Sequence, residues 1–105
     1  MKSERNIQAL ILMALSEAGC LVWRQDTGAY KDPKTGRLIK YGLCKGSSDI
    51  VGICPDGIAL FVEVKTEKGI VRPEQKLFID ACIKSNARAG IARSVKDAIN
   101  IAFPP

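Results

Sequence analysis

Glu63 and Lys65 close an otherwise apolar run, Ile58 to Lys65 (IALFVEVK). Side chains alternate along a strand, so these two project from one face. A carboxylate and an ammonium at the end of an apolar strand carry a desolvation cost unless something uses them. Taken alone, such an E-x-K ending is usually a surface ion pair at a frayed strand end. The preceding turn changes that reading. If Pro55-Asp56-Gly57 forms a three-residue hairpin loop with Gly57 in the left-handed position, Cys54 pairs with Ile58. Counting back in antiparallel register sets Asp49 directly opposite Glu63, with Cβ atoms ~4.5–5.5 Å apart. Two carboxylates at that separation repel, and one pKa rises if nothing intervenes. A divalent cation between them removes the conflict. Oxygen ligation without His or Cys suits Mg²⁺ or Mn²⁺ rather than zinc. Such an ion polarises a phosphoryl oxygen and acidifies a water, and Lys65 can orient that water or stabilise developing charge.

Composition narrows the alternatives. The chain has no histidine, which excludes Ser-His and Cys-His nucleophilic systems. Its cysteines, at 20, 44, 54 and 82, form no C-x-x-C pair, so a structural zinc or a thioredoxin-like site is not expected. Cys20, Cys54 and Cys82 read as reduced core residues. Hydrolysis here must therefore use carboxylates, lysine and metal. The formal charge is +5, from 16 basic and 11 acidic residues. Between Arg24 and Lys45 stand six basic residues (Arg24, Lys31, Lys34, Arg37, Lys40, Lys45) and two acidic ones (Asp26, Asp32), a net +4. That cluster suits phosphate contacts through counterion release, though a solvated basic loop is the plain alternative.

The elements that must position these groups follow from pattern. Ser3 N-caps a helix in which Ile7, Leu10, Ile11, Ala14, Leu15 and Ala18 recur at helical spacing, with Gly19 as its stop. Cys20 to Gln25 is a short strand, with Trp23 expected in the core. Residues 26–46 read as a long basic loop. Asp49 to Cys54 and Ile58 to Lys65 are strands, the second apolar on both faces as in a covered central strand. Pro73 starts a second helix whose apolar face is Leu77, Phe78 and Ala81. Gly90 to Arg93 is a strand, and Ser94 with Asp97 caps a last helix ending near Phe103. The order α-β-β-β-α-β-α over residues 1–105 describes one small α/β domain with a mixed central sheet flanked by helices. A core this small makes dimerisation a plausible supplement. No apolar run reaches the ~20 residues that span a bilayer, and the start shows no signal peptide, so the expected location is the cytoplasm of a bacterial or phage-infected cell. Neither a membrane nor a nucleotide cofactor is expected as a partner.

Gly46-Ser47-Ser48-Asp49-Ile50-Val51-Gly52, then Phe61-Val62-Glu63-Val64-Lys65-Thr66, then Pro73-Glu74-Gln75-Lys76-Leu77-Phe78 resembles the VRR-NUC (virus-type replication-repair nuclease) family of the PD-(D/E)XK superfamily. Gly90 to Ala98 is similar to that family's C-terminal segment, so the likeness extends from Glu4 to about Ala98. Ser48 stands where the superfamily's name has proline. The resemblance implies a PD-(D/E)XK nuclease fold and metal-dependent cleavage of DNA. It implies that Asp49, Glu63 and the main-chain carbonyl of Val64 bind Mg²⁺ or Mn²⁺ while Lys65 assists the water. Glu4 matches a first-helix glutamate placed beside the metal, or else it simply favours the helix dipole. Gln75 matches the family's helix glutamine, or else it is a solvated helix residue. Arg24 and Gln25 fall where the family carries polar residues near the site, and Lys45 precedes its mouth. Tyr30 and Tyr41 are candidates for stacking on splayed bases. Stand-alone members imply a homodimer acting on branched DNA such as Holliday (four-way) junctions. Flap, nicked or single-stranded DNA, a specific duplex site as in restriction enzymes, a non-catalytic DNA-binding module on the same fold, and a small regulatory or toxin-like protein stand as alternatives.

Overall fold

A computed structural model describes residues 3–26, 28–41 and 46–105, with the Tyr41 side chain left undescribed. Helix α1 (Glu4–Glu17) starts where the Ser3 hydroxyl accepts the Asn6 N–H at 3.2 Å. Its buried stripe is Ile7, Ile11 and Leu15. Strands β1 (Leu21–Arg24), β2 (Gly28–Lys31), β3 (Leu38–Tyr41), β4 (Ile50–Ile53) and β5 (Ala59–Val64) follow. After them come α2 (Pro73–Lys84), β6 (Arg88–Ala92) and α3 (Val95–Ala102). The principal sheet has the order β1-β4-β5-β6, antiparallel except for the parallel β5–β6 pair. The expected small mixed sheet flanked by helices is therefore present.

One face of that sheet holds the core. Ile50 of β4 and Leu60, Val62 and Val64 of β5 meet Ile11 and Leu15 of α1 and Ala98 and Ala102 of α3, all fully buried. Truncating any of the larger of these to Ala would cost about 2–5 kcal/mol. Gly57 adopts φ +87° in the β4–β5 turn, and the Cys54 N–H donates to the Ile58 carbonyl at 2.8 Å. Arg88 of β6 ties down the same turn through two bonds to the Asp56 carboxylate. No helix among the described residues is long and apolar enough to cross a membrane.

The structure departs from the sequence expectations in four places. The stretch expected as a loop over 26–46 contains a second, two-stranded sheet, β2–β3, joined by a turn in which the Asp32 carboxylate accepts from the Lys34 N–H and the Thr35 hydroxyl. Trp23, expected in the core, is 44 % exposed, because it projects from the sheet face opposite the core. On that face α2 packs against β5 and β6. Consequently β5 is covered on both sides only in part, with Ala59 exposed and Phe61 half-buried under Phe78 of α2. In α2 itself Leu77 is 70 % exposed and Ala81 is exposed, while Gln75 and Ile79 are buried. A polar residue has taken the place of the expected apolar anchor.

Candidate active site

Antiparallel pairing sets Ile50 against Val62 and Ile53 against Ala59. One step beyond, the same register aligns Asp49 with Glu63, on the sheet face that α2 covers. The Asp49 side chain is fixed there: its Oδ2 accepts the Val64 N–H at 2.9 Å. In a strand the N–H and C=O of one residue point to the same side, so the Val64 carbonyl faces the edge that Asp49 occupies. On the other flank, the Gln25 N–H donates to the Asp49 carbonyl at 2.7 Å, which extends the β1–β4 register and sets Gln25 beside Asp49.

Glu63 is 2 % exposed. Its Oε1 accepts the Gln75 Nε2 donor at 2.9 Å, whereas no protein N–H or hydroxyl donor reaches the buried Oε2. Burial pushes the Glu63 carboxyl up to about 8, helped by the neighbouring Asp49 carboxylate, both through its charge and as an acceptor for the protonated acid, and to the smallest extent by Glu4; Lys65 opposes the rise without cancelling it. Lys65 is itself buried, and its Nζ stands 4.0 Å from Glu63 Oε1, too far for a strong hydrogen bond. Two acids and an ammonium thus share a space from which water is largely excluded, and the acids are under-neutralised.

Gln75 links this cluster to α2. Its Oε1 accepts the Arg72 N–H at 2.9 Å, satisfying one of the donors a helix start leaves open, while its Nε2 holds Glu63. At 7 % exposure it is not a solvated helix residue. Against the same helix start lies the segment carrying Asp49. Gly46 has φ +85°, and a Cβ there would fall 2.3 Å from the Glu74 carbonyl oxygen. Ser47 and Ser48 follow, both buried, with hydroxyl oxygens that find no partner. Nothing in the sequence pattern singled out these two hydroxyls beyond their place before Asp49.

The remaining expected residues fall in different places. Glu4 is exposed in the first turn of α1, near enough to Glu63 for its charge to register. Arg24 is exposed at the end of β1. Lys31, Lys34, Arg37 and Lys40 are exposed on or between β2 and β3, in a sheet separate from the one that holds the acids. Tyr30 of β2 is also exposed. Lys45 and the side chain of Tyr41 lie outside the described residues.

The donor set is compatible with a hard cation. Among the described residues no three acidic, cysteine or histidine side chains converge as a ready-made cage. Two carboxylates, one with an orphaned buried oxygen, and a main-chain carbonyl suit an ion that keeps several of its own waters, as Mg²⁺ does.

Comparison with known proteins agrees with the geometry. Residues 2–96 match the VRR-NUC domain family. A solved structure described as a VRR-NUC domain superposes with a TM-score of 0.66 at 25 % identity, covering 97 % of each chain. Comparison with curated proteins finds no match.

Proposed function

Because the chain belongs to the VRR-NUC family of PD-(D/E)XK-type nucleases, we propose that Asp49, Glu63 and Lys65 form its reaction centre and hydrolyse DNA phosphodiester bonds with Mg²⁺ or Mn²⁺. The observation that carries this reading is Glu63: a buried carboxylate aligned with Asp49, with one oxygen that no protein donor reaches. A buried polar atom left unsatisfied costs about 1–3 kcal/mol, a cost that a ligand can offset. Asp49, Glu63 and the Val64 carbonyl would hold the cation. When bound, it supplies Lewis acidity at the phosphoryl group and lowers the pKa of the attacking water.

The chain's own residues do the rest. Gln75 keeps Glu63 oriented through its Nε2 donor, and the Val64 N–H keeps Asp49 oriented. Lys65, held in a poorly hydrated pocket at the limit of ion pairing with Glu63, retains donors for the water or for the charge that grows on the phosphoryl oxygens. Glu4, at the mouth of the cluster, adds negative charge that strengthens the pull on a cation. Arg24, Lys31, Lys34, Arg37, Lys40 and Lys45 serve as backbone contacts that fix the DNA without reading its sequence.

We further propose that the preferred substrate is branched DNA, such as a Holliday junction, cut by a homodimer. One site cuts one strand, so two symmetric nicks need two copies in one particle. The test is a cleavage panel over junction, flap, nicked, single-stranded and linear duplex DNA in Mg²⁺ and Mn²⁺, with Asp49→Asn as control and the particle mass measured alongside. Junction cleavage by a dimer, lost in the control, is expected. A preference for flap, nicked or single-stranded DNA would overturn the junction assignment but not the nuclease. Binding without cleavage in either metal would turn the reading toward a DNA-binding module.

A further inference from the structure

Arg93 lies just past the end of β6, and its guanidinium reaches back over the chain that leaves β5. One nitrogen, Nη1, shares its two N–H groups among three main-chain carbonyls: Thr66 at 2.6 Å, Gly69 at 2.8 Å and Glu67 at 3.2 Å. The main chain on either side is also tied. The Arg93 N–H donates to Asp97 Oδ2 at 2.9 Å, and the Lys65 N–H donates to the Ala92 carbonyl at 3.0 Å. Among the described residues no carboxylate pairs with this guanidinium, so its partners are the carbonyls of one turn.

That turn begins at the residue after Lys65. The Gly69 N–H donates to the Thr66 carbonyl at 3.0 Å, folding the chain back on itself. In that position Gly69 lies against the root of the Lys65 side chain: a Cβ added at Gly69 would stand 3.3 Å from Lys65 Cβ. Three residues on, the same connection enters α2 through Arg72, whose N–H is held by Gln75. The turn that Arg93 grips is therefore the wall beside Lys65 and the start of the link to Gln75. A lysine side chain has four rotatable bonds, and its ammonium is useful in a reaction only if those bonds are confined.

We propose that Arg93 is a positioning residue for the reaction: by holding the Thr66, Glu67 and Gly69 carbonyls it seats Gly69 against Lys65 and fixes the direction in which the ammonium leaves the strand. This rests on the reading of Lys65 as part of the reaction centre. Lysine keeps the charge and three donors, but its ammonium ends a flexible stem and lacks the rigid planar head that aims Nη1 at these carbonyls. Gly69→Ala perturbs the same wall from the opposite side and leaves Arg93 in place.

The test compares wild type, Arg93→Lys, Arg93→Ala and Gly69→Ala, with Lys65→Ala as reference. Displacement of a reacting group by about 1 Å costs on the order of 10²-fold in rate. Arg93→Lys and Gly69→Ala are expected to lower kcat by about that factor with KM and thermal midpoint little changed. Free guanidinium, but not methylammonium, is expected to restore part of the activity of Arg93→Ala. A second arm needs no turnover: the ¹³Cε order parameter of Lys65 should be high in wild type and clearly lower in both Arg93→Lys and Gly69→Ala. Loss of affinity with unchanged kcat would overturn the proposal and make Arg93 a phosphate contact. An unaltered Lys65 order parameter in the variants would overturn it too, whatever the activity. Full activity in Lys65→Ala alongside a lowered Lys65 order parameter in the variants would instead sink the reading of the reaction centre and leave the clamp standing.

Discussion

Replacing Glu63 with glutamine should abolish most of the pH dependence of stability in the metal-free protein. Glu63 is buried, and its carboxyl is raised from an ordinary 4.5 to about 8. In this direction the folded state holds the proton more tightly than the unfolded chain does. The associated stability is fully present below the unfolded value near 4.5, falls as pH rises, and is gone above about 8. At about 1.4 kcal/mol per tenfold change in proton affinity, the whole window corresponds to about 5 kcal/mol, an upper bound if no water enters the site. Glutamine keeps the acceptor that Gln75 uses and cannot ionise. Urea denaturation in EDTA, repeated between pH 5 and 9, should show wild type weakening by a few kcal/mol while Glu63→Gln stays nearly flat. The two should cross near neutral pH, with the variant more stable above it. Adding Mg²⁺ or Mn²⁺ at pH 8.5 should recover the lost stability in wild type alone. Parallel stability curves for the two proteins across this range would refute the reasoning.

Gly46→Ala should destabilise by about 1–3 kcal/mol and cost most of the activity, because it combines a positive φ with a collision against the Glu74 carbonyl and displaces the segment that delivers Asp49; thermal unfolding and cleavage assays check this. Gln75→Ala removes both the bond to Glu63 and the acceptor for the Arg72 N–H, and about 1–3 kcal/mol of stability together with a weaker cation affinity is the expected outcome by denaturation and calorimetry. Neutralising Lys31, Lys34, Arg37 and Lys40 together should weaken DNA binding uniformly across sequences. It should lower the slope of log affinity against log salt by at most about 3.6, since each phosphate contact contributes about 0.9, while kcat at saturating DNA stays unchanged.

The alignment of the two candidate acids was more legible than the sheet around them. Asp49 and Glu63 could be aligned on paper because a tight turn, Pro55-Asp56-Gly57, transmits register by counting, and the observed β4–β5 pairing follows that count. The nuclease-like fold was legible through ordered motifs rather than through any single one. What escaped depended on contacts between segments distant in sequence. Trp23 looks like a core residue within its strand, and only the placement of α2 over β5 and β6 leaves it half exposed. Leu77 looks like a helix anchor, but the helix turns Gln75 inward to meet Glu63 instead. The β2–β3 hairpin has little alternation in Gly28–Lys31 or Leu38–Tyr41, so its strands carry no periodic signal. Arg93 is one basic residue among many in the chain until three carbonyls of a turn far back in sequence are found around it.

The most direct trial is calorimetric titration of Mn²⁺ into wild type, Asp49→Asn and Glu63→Gln at pH 7, in buffers of differing ionisation enthalpy so that released protons are counted. Saturable uptake by wild type with close to one proton expelled, and near-absent uptake by both variants, is what a cation seated between the two acids requires. Equal uptake by all three proteins, or uptake that releases no proton, would contradict it.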